Sequence, residues 1–291
     1  NLSKLVCSPY GMQLFREEAL SFDLILSDAA GLAGEKEVQM FNRELSSFFA
    51  HLKPANSVLV ILEQLNFSAI APYLQKFERI IVLDAFSGMA SLGKKLHPEL
   101  NLLTEAQAAQ LDICFPFDLE QLLKNIKNQT STLIALSNQE VPENLYASSE
   151  EEELQFIDKK LIDQADCLSL LSPETPDLLL IGTGNQLEEL VKLSQYLSLR
   201  AEKIGLEVLG KWSLLEEKAF GERIKKAKAL GWILDQTPSA TLEAQLKKWG
   251  KPLHLISPVY EKISSIFPEY QSEQANFDAA ALLERSTKLL S

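Results

Sequence analysis

The chain has 291 residues, 46% of them hydrophobic and 23% charged, with a formal net charge of −12. That balance argues against a broad nucleic-acid-binding surface, which is built from clustered Lys and Arg, and no apolar run reaches the ~20 residues needed to cross a bilayer. Cys7, Cys114 and Cys167 are odd in number, far apart and without a CxxC pair, so a reducing, cytoplasmic setting is expected, with neither a disulfide framework nor a structural zinc site.

The opening residues lack both the basic start and the long apolar core of a secretory signal, and there is no initiator methionine, so the chain reads as a fragment. Short β-rich runs then follow at 24–26, 58–62, 79–83, 113–115 and 132–136, separated by helix-length segments. This alternation predicts βαβ units and a mostly parallel sheet. The run Ser148-Ser-Glu-Glu-Glu-Glu153 repels itself if packed and marks a solvated linker. The expected division is a first domain over 1–147, an acidic linker over 148–171 and a second domain over 172–291.

Beyond the linker, strands are predicted at 178–181, 206–209, 232–234 and 253–256, again alternating with helices. Leu178-Leu-Leu-Ile-Gly-Thr-Gly184 is an apolar run closed by two glycines. A strand covered on both faces reads as continuous Leu and Ile, and glycine suits a tight turn into a helix over 186–199. Within that helix Leu187, Leu190, Val191 and Leu197 share one face while Glu188, Glu189 and Lys192 point away. A last helix begins near 277, capped by Asn276 or Asp278. One Gly-x-Gly without a further glycine or lysine is too little for a phosphate loop. His51, His97 and His254 stand alone and suggest no metal site. Trp212, Trp249 and Phe267 belong to a core or to an apolar interface.

Four phrases after the linker, in order, carry a resemblance: Asp177-Leu-Leu-Leu-Ile-Gly-Thr-Gly184, Ile204-Gly-Leu-Glu-Val-Leu209, Gly231-Trp-Ile-Leu-Asp235 and Asn276-Phe-Asp-Ala-Ala-Ala-Leu-Leu283. They resemble the C-terminal domain shared by transketolases, deoxyxylulose phosphate synthases and pyruvate dehydrogenase beta subunits. The passages Leu111 to Leu123 and Thr132 to Pro142 are similar to parts of the pyrimidine-binding domain of the same enzymes. The resemblance implies two three-layer α/β/α domains, the first with a mostly parallel sheet and the second with a smaller mixed one. It also implies a dimer.

In that family a glutamate within a Gly-Ile-x-Glu-Gln phrase bonds the aminopyrimidine ring of thiamine diphosphate, where sharing a proton shifts the ring toward its basic imino form. Val60-Ile-Leu-Glu-Gln64 matches it, with Val60 in place of the glycine, and makes Glu63 the candidate catalytic residue. Equally, a charge at the end of an apolar strand is how many strands exit to solvent. Phe86, in Leu83-Asp-Ala-Phe-Ser-Gly88, is the candidate to stack on the pyrimidine, beside the plainer reading of a core aromatic. Asp84 reads as a turn or cap residue.

The family's Ser/Thr-Arg-Gln phrase for substrate phosphate appears here as Ser137-Asn138-Gln139, and Asn138 carries no charge to grip an oxyanion. The Gly-Asp-Gly and paired-Asn clasp for magnesium and diphosphate has no match. The resemblance therefore implies that thiamine diphosphate with Mg2+ is held only if a partner chain supplies the diphosphate-binding domain. Two readings stand: a subunit of a split thiamine-diphosphate enzyme carrying out two-carbon ketol or acyl transfer, and a non-catalytic relative kept for assembly or regulation.

Overall fold

A computed structural model describes residues 9–27, 37–39, 42–51, 53, 57–62, 70–84, 90–91, 94–95, 111–136, 166–200, 203–233, 244, 247–256, 260–262 and 275–289. The chain divides into two compact units, one of Asn1–Gly88 with Asn101–Gln155, the other of Met89–Leu100 with Phe156–Ser291. The strands of the first part of the chain are β1 (Leu24–Ser27), β2 (Glu37–Gln39), β3 (Ser57–Leu62), β4 (Arg79–Asp84), β5 (Ala90–Ser91), β6 (Lys94–Lys95), β7 (Asp112–Cys114) and β8 (Thr132–Ala135). Those of the later part are β9 (Cys167–Leu171), β10 (Leu178–Thr183), β11 (Ile204–Leu209), β12 (Ala229–Ile233), β13 (Leu253–Ile256), β14 (Tyr260–Lys262) and β15 (Ala275–Phe277). The α-helices are α1 (Pro9–Ala19), α2 (Asn42–His51), α3 (Leu119–Lys127), α4 (Leu187–Arg200), α5 (Lys218–Lys226) and α6 (Ala279–Lys288).

The first unit holds a sheet ordered β2-β1-β3-β4-β8-β7, parallel throughout. Its central strands are apolar at nearly every position because both faces are covered. On one face Ile25, Leu59, Ile61, Ile81, Leu83 and Ile134 pack with Phe15 and Ala19 of α1 and with Leu119, Leu122 and Ile126 of α3. Strand alternation sends Leu26, Val58, Val60, Ile80, Val82 and Leu133 to the other face, where they are also buried. Phe49 of α2 is buried as well, its ring stacking on Tyr73 and meeting Phe77 edge-on.

The passage from β7 to α3 shows why these residues turn as they do. Pro116 follows the strand, and Asp118 then caps α3 by accepting a hydrogen bond from Gln121 N at 2.9 Å. Gln121 returns the favour, its Oε1 accepting from Phe117 N at 3.0 Å. Lys124 and Lys127 occupy the last turn, where they complement the helix dipole.

The second unit holds a sheet ordered β13-β12-β10-β11-β9, in which only β9 runs antiparallel to its neighbour. The strand β9 lies in a stretch that the sequence reading assigned to the end of the linker. Its alternation, Cys-Leu-Ser-Leu-Leu, is short and follows directly on charged residues, so the pattern is easily passed over. Gly182 serves close packing, since a Cβ there would lie 2.5 Å from Leu190 Cδ1 of α4. Neither Gly182 nor Gly184 takes a positive φ; Gly250 alone does so among the described glycines. The turn into α4 is instead closed by Thr183 and Gln186 acting as a capping box. Asp278, not Asn276, caps α6, accepting from Ala281 N at 2.8 Å. Trp212 is buried and packs edge-on against Trp232, with ring centroids 5.6 Å apart. Trp249 lies half-buried, its ring over Gly221, whereas Phe267 is outside the described residues.

Candidate functional site

From β1 the chain goes to β2 on one side, and it returns to β3 on the other. Connections that diverge in this way leave a crevice beyond the carboxyl ends of the two strands, the usual ligand position of an open α/β sheet. The register brings the ends level: Ser27 pairs with Ile61, Leu62 with Asp84, and Asp84 with Ala135. The carboxyl ends of β1, β3, β4 and β8 therefore form one edge. Ser27 and Leu136 are both buried there.

Glu63 is the residue after β3, and Phe86 is the second residue after β4. Both candidates, with Ser137, Asn138 and Gln139 after β8, lie outside the described residues. The strands leading to them are adjacent and end at the same level. Asp84 closes β4 as a strand residue, where a turn or cap was expected. Among the described residues no three His, Cys, Asp or Glu side chains converge as a metal site. His51 is exposed and its Nδ1 lies 2.8 Å from Ser47 O, His254 sits half-buried in β13, and His97 is outside the described residues. Cys114 and Cys167 are buried thiols, not joined in a disulfide; Cys7 is not among the described residues.

A second cluster, in the other unit, escaped the sequence reading. Glu207 of β11 is only 3% exposed. Its Oε1 accepts from Ser169 Oγ at 2.7 Å, and its Oε2 accepts from Arg223 Nη1 at 2.9 Å and from Cys167 Sγ at 3.4 Å. Burial pushes the Glu207 carboxyl up, against the opposing pull of Arg223 and the two β9 donors. Cys167 is pushed far above the usual thiol range, by burial first and then by Glu207, so it is an inert donor. The signal was present in the sequence. A carboxylate inside Ile204-Gly-Leu-Glu-Val-Leu209 must have a charged or hydrogen-bonding partner, because an unpaired buried charge is too costly.

Both sheets, with helices against them, define a two-part α/β protein of transketolase-like fold. The chain aligns with a transketolase from Campylobacter jejuni subsp. jejuni NCTC 11168 at TM-score 0.53 and 14% identity, covering 94% of this chain and 43% of that one. With a transketolase mutant from Pichia stipitis in complex with fructose-6-phosphate, the TM-score is 0.57 and identity 14%, over 96% of this chain and 45% of that one. The chain thus spans less than half the length of these two proteins. A split-gene transketolase, solved as an inactive beta4 tetramer, aligns at TM-score 0.58 and 12% identity over 96% of this chain and 94% of that chain. No protein-family model and no curated protein matches the sequence. At these identities the likeness is one of fold.

Proposed function

We propose that the chain is a transketolase-like C-terminal subunit of a split thiamine-diphosphate enzyme, completed by a partner chain that carries the diphosphate-binding domain. The observation that carries this reading is the reciprocal coverage of the split-gene transketolase, 96% of this chain and 94% of that one. Alignment over nearly the whole of one chain of a divided enzyme supports the C-terminal-half reading. In this reading the crevice beyond β1 and β3 receives the pyrimidine half of the cofactor. Glu63 bonds the ring and Phe86 stacks on it. When bound, the cofactor supplies the carbanion chemistry of two-carbon transfer; Glu63 holds the proton at the ring nitrogen.

The competing reading, a non-catalytic subunit, draws on Asn138, which stands where the family places an arginine and cannot form a bidentate bond with a phosphate. Titrating thiamine diphosphate and Mg2+ into the isolated chain and into its co-purified complex separates the two readings. Saturable binding only in the complex, lost in Glu63→Ala, is the expected outcome. Absence of binding in both preparations sinks the enzyme reading, and binding indifferent to Glu63→Ala sinks the assigned role of that residue.

A further inference from the structure

We propose that the second unit carries a small-molecule site of its own, a cleft between β9, β11 and α5 that binds a short aliphatic monocarboxylate through Arg223 and Lys226. The proposal is independent of the thiamine diphosphate reading, because every residue it uses lies in the second unit. The cleft measures about 240 Å³ and its lining includes Arg223, Lys226, Leu171, Leu179, Pro176 and Gly205. Gly205 lets Leu179 pack close against β11 beneath the cleft: a Cβ there would lie 2.9 Å from Leu179 Cδ1 and 3.5 Å from the Leu171 carbonyl oxygen.

The buried Glu207 fixes the recognition group. It takes Arg223 Nη1 at 2.9 Å and is itself held by Ser169, so the guanidinium is anchored at one corner before any ligand arrives. Arg223 keeps 30% exposure, and its only other bond among the described residues is a long one from the same Nη1 to Cys167 Sγ at 3.9 Å. The remaining N–H groups of the fork are left to an incoming oxyanion, which a guanidinium binds through two parallel hydrogen bonds. Lys226 stands three residues further along α5, on the same helix face, and forms no salt bridge among the described residues.

Charge and shape then narrow the ligand. Arg223 is already balanced by Glu207, and Lys226 shares the rim with Glu174, so the cleft offers directed donors rather than net positive charge. With Glu174 and Glu207 set against Arg223 and Lys226 the lining is neutral, so a monoanion adds one uncompensated charge where a phosphate dianion adds two. Leu171, Leu179 and Pro176 give an apolar wall, which suits an aliphatic tail.

Butyrate is the probe. With leucine methyls carbon-13 labelled in the full chain and ionic strength held constant with chloride, butyrate should move the Leu171 and Leu179 signals saturably. For a ligand this small the dissociation constant should be on the order of a few millimolar. Arg223→Lys keeps the charge toward Glu207 but loses the fork, and should weaken binding at least about tenfold. Lys226→Gln, at an exposed position, should weaken it severalfold and keeps the test valid if the first variant folds poorly. Three results overturn the proposal: no saturable movement, equal binding by wild type and Lys226→Gln, or tighter binding of inorganic phosphate than of butyrate.

Discussion

Glu207 shows how a single charge in an apolar strand organises its surroundings. Its carboxylate accepts from three neighbours, and removing the one cation among them, Arg223, leaves a buried carboxyl group without its counter-charge. Arg223→Ala should therefore cost about 3 kcal/mol in urea denaturation, the low end for breaking a buried pair because Arg223 remains 30% exposed. Asp177 makes a different case at the surface. Its carboxylate lies 2.6 Å from Lys228 Nζ and 4.0 Å from Lys203 Nζ, and the bond to Lys228 holds it below the usual carboxylate range. A lowered pKa gives stability that is present above the unfolded value, about 4, and is lost as pH falls through the folded one. Asp177→Asn should flatten the acid limb of a stability-against-pH curve, with less effect at high salt; an unchanged acid limb refutes that account.

Among the elements, the pairing of β10 with α4 depends on a missing side chain. Gly182→Ala places a methyl 2.5 Å from Leu190 Cδ1, so the helix or the leucine must give way, at roughly 1–3 kcal/mol. In a Leu190→Ala background the same change should cost much less. A double-mutant cycle by chemical denaturation reads the coupling directly. This glycine also marks the limit of what the sequence disclosed. The run from Leu178 announced a buried strand, and the strand is there, because apolar continuity reports burial on both faces. Two glycines suggested a turn, but which property of glycine is used depends on what packs against it, and Leu190 lies eight residues away. The strand Val58 to Leu62 was legible for the same reason as Leu178 to Ile181. Glu207 was not read as a site because its partners, Ser169 and Arg223, come from a strand and a helix 38 and 16 residues distant.

At the scale of the whole molecule the sequence disclosed the succession of strands and helices well, since hydrophobic periodicity is local. Which strands neighbour one another is non-local, and so the divergence of β1 toward β2 and β3 came only with the fold. The formal charge of −12 acts at this scale too. Mixed with duplex DNA at physiological ionic strength, the chain should cause no mobility shift, because it lacks the excess of cations that displaces counterions from phosphates. A salt-sensitive shift would reveal a basic patch that the overall balance conceals.

The reversed strand β9 has a consequence for the order of assembly. It leaves the ribosome before β10 and β11, yet its place is against β11, so it must wait while a parallel crossover forms downstream. Pairings across long sequence separations come late, and β9 meets β11 across 35 to 42 residues against 26 for β10 with β11, so Ser169 would reach Glu207 after that crossover has formed. Ser169→Ala should then hasten unfolding while leaving the refolding rate nearly untouched. If refolding slows instead, β9 belongs to the nucleus, and the edge of this sheet is where it begins.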